Sequence, residues 1–360
     1  MKIVQIIDSL EAGGAERMAV NYANALSNTI EFSGIVVTRK EGILKQEINC
    51  KVEYLFLNKN KVVDFKAIFT LANYCKKNKI NIIHAHTSSF FIACFVKIIY
   101  FKVKIIWHDH YGLSDFLNER KSKFLKIASV LFFGIITVNE NLKDWAIKKL
   151  LCKNVINLPN FTSIIDNEEK VTFLKGFNDK RILCLANLRV QKNHHLLLSV
   201  AKRVVIIHPE WSFHIVGKDF NDNYSNEIKT KIKDLNLIKN VFIYNSKKDI
   251  QNIISQSEIC ILTSQSEGLP ISLLEYGLLK KAVVVTNVGE ISSIVINDKN
   301  GFIVNKDDEN SFFNSLLILI ENEIKRKEFG NSLFEKIIKN HSEKKLIENY
   351  IHWITKKNNA

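Results

Sequence analysis

The sequence predicts an α/β chain of two doubly wound, Rossmann-like domains facing across a cleft. Three observations carry this. A length of 360 residues, at roughly 150 residues per domain, leaves room for two domains. Short runs rich in Ile and Val alternate with longer stretches of helical period, the pattern of repeated βαβ units. That alternation pauses after Pro159 and restarts at Arg181.

In the first half, strands are expected near residues 2–7, 33–37, 52–57, 81–85, 103–107, 134–138 and 154–157. Helices fill the gaps near 15–27, 65–78, 88–101, 114–132 and 141–149. The strands lack strict alternation, so both faces of their sheet are expected to be covered. A polar stretch around Asp166–Glu169 places the interdomain linker near 160–175. The second series has strands near 181–186, 212–216, 240–243, 258–262, 282–285 and 302–304, with helices between them. The domains are therefore drawn at 1–160 and 175–335, followed by a helical tail, 336–360. The amphipathic run behind that tail, from about Ser332 to Lys357, includes Tyr350 and Trp353, and is expected to pack back on the N-terminal domain.

Composition is that of an ordinary globular protein, with 46% hydrophobic and 24% charged residues. The net charge of +14 is less ordinary. Residues 1–160 hold +10 of it and the rest +4, and only seven of the basic residues are Arg. Such asymmetry points to an anionic partner or to a Lys-rich genome. Nucleic acid is disfavoured, because no stacking module or helix-turn-helix pattern is present. The six cysteines are scattered singly, without metal spacing, and read as fillers of a reduced, cytosolic protein. No signal peptide is expected, and the apolar stretches 90–107 and 127–138 are interrupted or too short to span a bilayer.

Four segments could carry chemistry. The first turn holds Gly13-Gly14-Ala15-Glu16 between a strand and a helix, where backbone amides can approach an anion. It is not G-x-G-x-x-G, and the second strand ends Val37-Thr38-Arg39-Lys40 without the acid that a ribose-binding dehydrogenase needs. The run Trp107-His108-Asp109-His110 follows a strand. His108 there suits substrate contact, metal ligation or a structural hydrogen bond, and substrate contact is favoured at a strand's carboxyl end. His84 and His86 end the neighbouring strand and are expected to line the cleft wall. Arg189 and Lys192, three residues apart after a strand, can hold the two phosphates of a departing diphosphate. In Glu267-Gly268-Leu269-Pro270-Ile271-Ser272-Leu273-Leu274-Glu275, Pro270 suits the first helical position and the amides of Ser272 and Leu273 are expected to be free for phosphate. Glu267 and Glu275, eight steps apart, would lie about 12 Å apart at helical rise, the separation of the sugar and ribose ends of a nucleotide-sugar.

In this order and spacing the chain resembles the retaining glycosyltransferases of family 4, with the GT-B architecture. The match rests on Gly13-Gly14-Ala15-Glu16, His108, Pro159-Asn160, Arg189 and Lys192, Glu267 with Glu275, Val288-Gly289 and Asn300-Gly301-Phe302. It departs at Asn187, Phe161 and Glu290, where the family often has Gly, and at Ala282, where it often has Pro. The resemblance implies an N-terminal acceptor-binding domain and a C-terminal nucleotide-sugar-binding domain. It implies that His108 meets the transferred sugar, that Arg189 and Lys192 hold the diphosphate, that Glu267 binds sugar hydroxyls and that Glu275 binds the ribose. Gly13, Gly14, Asn160, Gly268, Leu269 and Ser272 complete the expected donor site.

The expected reaction moves a sugar from a UDP- or GDP-sugar to a hydroxyl of a glycan acceptor, lipid-linked, in capsule, exopolysaccharide or lipopolysaccharide synthesis. No cofactor is expected. No D-x-D triplet occurs, so metal-independent transfer is expected. A nucleotide-sugar epimerase, or a catalytically silent protein of the same fold, is the alternative. The first-domain charge, with Lys97, Lys102, Lys104, Arg120, Lys121, Lys123 and Lys126, is expected to dock a cytoplasmic enzyme peripherally on an anionic inner leaflet.

Overall fold

The computed structural model describes residues 1–113, 117–163 and 169–356. They divide into two compact units, one of residues 1–161 with 343–360 and one of residues 162–342.

Unit 1 runs β1 (Lys2–Ser9), α1 (Gly14–Ser27), β2 (Phe32–Lys40), β3 (Glu53–Phe56), α2 (Phe65–Lys77), β4 (Ile82–His86), α3 (Phe90–Ile99), β5 (Lys104–Asp109), α4 (Lys123–Ala128), β6 (Phe132–Thr137), α5 (Glu140–Lys149) and β7 (Val155–Asn157). Its seven strands are all parallel, in the order β3-β2-β1-β4-β5-β6-β7. Ile3, Val4, Ile6 and Ile7 are buried in succession on β1, so both faces of the sheet are covered. Helix α1 shows why: Met18, Ala19, Tyr22, Ala23 and Leu26 recur at helical spacing and are all buried. Asp64 caps α2 by accepting the Ala67 amide at 3.1 Å, and Asn139 caps α5 by accepting the Leu142 amide at 2.8 Å.

Unit 2 runs β8 (Arg181–Leu185), α6 (His194–Ile207), β9 (Ser212–Val216), α7 (Asn223–Asp234), β10 (Val241–Tyr244), α8 (Ile250–Ser255), β11 (Ile259–Leu262), α9 (Ile271–Leu278), β12 (Ala282–Thr286), α10 (Ile291–Ile294), β13 (Phe302–Val304), α11 (Glu309–Glu321) and α12 (Glu323–His341). Its sheet is parallel in the order β10-β9-β8-β11-β12-β13. The last helix, α13 (Glu343–Lys356), returns to unit 1.

Three sequence expectations differ. The helix over 114–132 is replaced, from residue 117 on, by a single turn at Leu117–Glu119, the short α4 and a turn at Ser129–Leu131, while Phe132 is already paired with Ile105 in the sheet. Residues 114–116 lie outside the described residues. The tail helix is two helices broken at Ser342, which is extended and bridges Thr162. Its final residues, from Lys357, are not described. Much of the polar stretch around Asp166–Glu169 also lies outside the described residues. The following segment is not a free linker: buried Asp249 accepts the amides of Val171 and Thr172 at 2.9 and 2.6 Å and the Thr172 hydroxyl at 2.7 Å. Burial raises the pKa of Asp249, but these bonds outweigh it and hold the carboxyl below its usual range.

Helix α13 sits on unit 1 through Tyr350 and Trp353. The Trp353 indole donates to Asn154 Oδ1 at 3.1 Å. Its ring lies where a Cβ on Gly134 would stand only 2.6 Å away, so β6 needs a glycine at that point.

Candidate functional site

In unit 2 the parallel pairing of β8, β11 and β12 brings their carboxyl ends to one edge, where ligands of such sheets bind. The loop after β8 carries Arg189 and Lys192, and the loop after β11 carries Ser264, Glu267, Gly268 and Leu269. The two loops are fastened together. Thr263 Oγ1 donates to the Lys192 carbonyl at 3.0 Å, and the Gln265 amide donates to the Gln191 carbonyl at 2.8 Å.

Buried Glu267 is the centre of this edge. Its Oε1 accepts from both Lys192 Nζ and Ser264 Oγ, each at 2.6 Å. The sequence reading sent Lys192 and Glu267 to different parts of a ligand, and the structure joins them directly. An ammonium carries three donors, so Lys192 can hold Glu267 and still face an anion. Gly289 closes the site from the β12 side. Its φ is +54°, and a Cβ there would stand 2.2 and 2.6 Å from the carbonyl oxygens of Glu267 and Gly268, so only glycine fits. The Glu290 amide then donates to the Gly268 carbonyl at 3.0 Å.

Helix α9 begins one residue later than expected, with Pro270 as the extended residue before it. The Leu273 amide, expected to be free, donates to the Pro270 carbonyl at 3.1 Å, which leaves Ser272 as the anion-facing candidate. Because only Ile271–Leu278 is helical, a separation built from eight helical steps does not apply to Glu267 and Glu275. The sequence reading passed over two residues here. Phe220 lies under the Arg189 guanidinium at 4.3 Å and the Lys218 ammonium at 4.9 Å. Buried Tyr276 accepts the Leu185 amide at 2.6 Å and fixes the end of β8. At the family departure Asn187, the side-chain oxygen accepts the Lys218 amide at 2.7 Å.

In unit 1, Gly13 is the extended residue before α1, as the first turn requires. A Cβ on Gly13 would stand 2.3 Å from Glu16 Oε2, so the glycine makes room for the helix's own carboxylate. Asn160 is buried, and the ring of the following Phe161 packs on Tyr22 at 5.1 Å.

The histidines are in the interior. His84, His86 and His108 are all 0% exposed, where lining of a cleft wall was expected for the first two. Strand parity explains the cluster: residues 84 and 86 on β4 share a face, and His86 is the register partner of His108 on the adjacent β5. His84 Nε2 pairs with His108 Nδ1 at 3.1 Å, and His86 Nδ1 pairs with His110 Nε2 at 2.9 Å. The other His86 nitrogen pairs with Gln5 Oε1 at 2.9 Å, and the other His84 nitrogen with the Tyr350 hydroxyl at 3.1 Å. Burial pushes the pKa of His84, His86 and His108 well below the usual histidine range and that of His110 down to about 3, so the rings are neutral. Metal binding would require rearrangement. The ligand atoms of His84, His86 and His108 lie within 4.8 Å of one another, whereas Zn–N bonds of about 2.0–2.1 Å in a tetrahedron need nitrogens about 3.4 Å apart, and most of these nitrogens already bond a neighbour.

Arg120 was placed on the docking surface, and the structure corrects this. Its guanidinium is bidentate to buried Asp109, at 2.6 and 2.9 Å, and lies over the rings of Tyr111 and Trp145 at 4.3 and 4.2 Å. Lys97 and Lys104 are also engaged within the fold: Lys97 Nζ donates to the Phe101 and Val103 carbonyls at 2.6 and 2.7 Å, and Lys104 lies over Phe133 at 4.5 Å.

Residues 12–161 match the profile of Glycosyltransferase Family 4, and residues 166–336 match that of Glycosyl transferases group 1. Two parallel α/β units, each with its own match, define a glycosyltransferase of the GT-B class. The chain belongs to glycosyltransferase family 4 and is a hexosyltransferase-type enzyme. It is similar to UDP-Gal:alpha-D-GlcNAc-diphosphoundecaprenol alpha-1,3-galactosyltransferase of Escherichia coli, 26% identical over 336 residues and 86% of each chain. It is also similar to GalNAc-alpha-(1->4)-GalNAc-alpha-(1->3)-diNAcBac-PP-undecaprenol alpha-1,4-N-acetyl-D-galactosaminyltransferase of Campylobacter jejuni, 26% identical over 341 residues and 92% of each chain. An Anabaena protein solved in complex with UDP and glucose shares the fold, with a TM-score of 0.79 and 16% identity over 99% of this chain and all of that one. Among the described residues no helix is long and apolar enough to cross a membrane.

Proposed function

We propose that the enzyme moves a sugar from a UDP-sugar to a hydroxyl of a lipid-linked glycan, with retention of configuration, in surface polysaccharide synthesis. The observation that carries this reading is Lys192 held on Glu267 beside the start of α9. It sets a cation for a leaving diphosphate next to a carboxylate suited to sugar hydroxyls. Arg189 on Phe220 supplies a second cation on the same loop. The donor nucleotide is UDP rather than GDP by analogy with the E. coli relative, whose name states UDP-Gal, and with the Anabaena structure. The lipid-linked acceptor follows from the diphosphoundecaprenol in the relatives' names.

Arg189, Lys192 and the α9 N-terminus take the place of a cation on the diphosphate, so turnover survives EDTA. Glu267 binds hydroxyls and is not a covalent nucleophile; the departing phosphate takes the proton of the attacking hydroxyl. In unit 1, Gly13, Gly14 and Asn160 approach the ligand, while Gly268, Leu269, Ser272 and Glu275 complete the nucleotide end. Lys192→Ala should lower UDP release about 10²- to 10³-fold, the scale of losing one preorganised charge-stabilising donor. Turnover within a few-fold of the unmutated enzyme would refute the leaving-group role.

The same enzyme docks on an anionic bilayer through unit 1. Exposed Phe65 and Phe69 on α2, Ile98 and Phe101 at the end of α3, and Phe124 and Ile127 on α4 are apolar groups among lysines. Co-sedimentation with anionic vesicles should be lost at high salt. Equal binding to neutral vesicles would remove the electrostatic part of this reading.

A further inference from the structure

The three fully buried histidines of unit 1 are not equivalent. His84 and His86 are engaged at both ring nitrogens. Among the described residues His108 is engaged only at Nδ1, and its Nε2 is buried without a hydrogen-bond partner. His108 lies on β5, one residue from its carboxyl end. The ring of half-buried His110 is 3.9 Å away, centroid to centroid.

A neutral imidazole has one N–H and one lone pair, so the line Tyr350–His84–His108 must be polarised one way throughout. In one direction the Tyr350 hydroxyl donates to His84 Nδ1, His84 Nε2–H donates to His108 Nδ1, and the proton of His108 stands on Nε2. In the other direction His108 donates to His84 and His84 donates to the Tyr350 oxygen. The phenol hydrogen then has no acceptor: Tyr350 makes no second bond among the described residues, and the neighbouring Tyr22 hydroxyl is itself unpartnered. The reverse direction thus leaves a buried donor and a buried acceptor unmet at opposite ends, and the first leaves a single donor. Buried polar groups are overwhelmingly paired, which selects the first direction.

We infer that Tyr350 and His84 are positioning residues that hold His108 as an Nε2–H donor for an oxygen of the sugar substrate. The inference rests on the proposed sugar transfer and on the contact between His108 and the transferred sugar that the family resemblance implies, and adds what sets its chemistry. The second partner of a histidine fixes which nitrogen carries the proton. Here that partner line begins on α13, 266 residues along the chain from His84, and gives the C-terminal helix a role at the strand end beyond packing. No proton is transferred; the unmet N–H is satisfied when a ligand oxygen arrives.

The test is nitrogen NMR of the full-length enzyme labelled at histidine, in which protonated and bare ring nitrogens are distinct, combined with kcat/KM. The His108 signal is assigned by its loss in His108→Asn. Unmutated enzyme should show His108 protonated at Nε2, and Tyr350→Phe, which keeps the ring, should mix its tautomers. His84→Leu should lower kcat/KM about tenfold or more, on the scale of lost second partners of a histidine. His84→Gln, which restores a side-chain N–H, should recover most of that loss. A His108 proton on Nδ1, or a tautomer indifferent to Tyr350→Phe, overturns the inference. Tautomers that behave as expected while kcat/KM is unmoved by His84→Leu overturn the substrate role. If unmutated enzyme releases no nucleotide from any donor, the proposed function fails by itself, and the NMR result still decides the line of hydrogen bonds.

Discussion

The two units use one plan of parallel strands and covering helices, yet they equip their strand ends differently. Unit 1 buries uncharged imidazoles in a stack with Tyr22 and Tyr350 and pins them with a helix from the far end of the chain. Unit 2 puts a charged pair on two laced loops, with a glycine whose backbone admits no side chain. The first arrangement keeps polar groups in the interior by making them neutral and giving most of them partners. The second sets a partly exposed ammonium on a buried carboxylate, so that the cation can change partners when an anion binds. Outside the Tyr350–His84–His108 line, substitutions in unit 1 should therefore act mainly on stability, and substitutions at the Lys192–Glu267 pair mainly on turnover.

The largest stability effect is expected where unit 1 breaks its own habit and buries a charge. Arg120→Met would leave buried Asp109 without its bidentate guanidinium partner, at a cost of about 3–5 kcal/mol, read as a lowered denaturation midpoint. Lys123→Ala on exposed α4 should stay within about 0.5 kcal/mol. Equal effects would return Arg120 to the surface.

Acid should then separate the units. Histidines buried neutral have folded pKa values below their unfolded value of about 6.5. At pH above that value neither state binds the extra proton and nothing is lost. As pH falls below it, the unfolded chain takes up protons that the folded one refuses, and stability falls by up to about 1.4 kcal/mol per pH unit for each such group. Unit 1 has His84, His86, His108 and His110. Unit 2 has His194, with its pKa lowered to about 4, and His214, lowered to about 3, each mainly by burial, and the part-exposed His195, also lowered first by burial. Unit 1 should unfold first between pH 6.5 and 5. Tryptophan fluorescence reports it, since Trp107, Trp145 and Trp353 lie in unit 1 and Trp211 alone in unit 2. Simultaneous loss of both units would mean that the imidazole stack does not set acid sensitivity.

A smaller effect is expected at Gly134. Gly134→Ala places a methyl against Trp353, an overpacking worth about 1–3 kcal/mol. It should loosen α13, seen as faster proteolysis near residue 342, without altering the melting of unit 2.

Much of this fold is legible in local sequence, because Ile and Val runs and helical periods depend only on near neighbours. Expected strands such as 2–7 and 212–216 coincide with β1 and β9 to within two residues. What failed depends on distant partners. The break at Ser342 has no Gly or Pro to announce it and follows from pairing with Thr162. The helix over 114–132 ran through Phe132 because nothing local says that this residue joins the sheet beside Ile105. For the site, the segments were visible but their partners were not: Lys192 and Glu267 are 75 residues apart and Arg120 looked like one more surface cation. One signal was available and unused. Histidines at 84 and 86 and at 108 and 110 share parity on two strands expected to be neighbours, which places four rings on one face.

The central claim is sugar transfer from a UDP-sugar at the Lys192–Glu267 edge. It is tested most directly by incubating purified enzyme with a panel of UDP- and GDP-sugars, in the presence of EDTA and without acceptor, and measuring the nucleotide diphosphate released. Slow UDP release from at least one UDP-sugar is the expected result. Silence with every donor, or release that requires a divalent cation, would contradict the account.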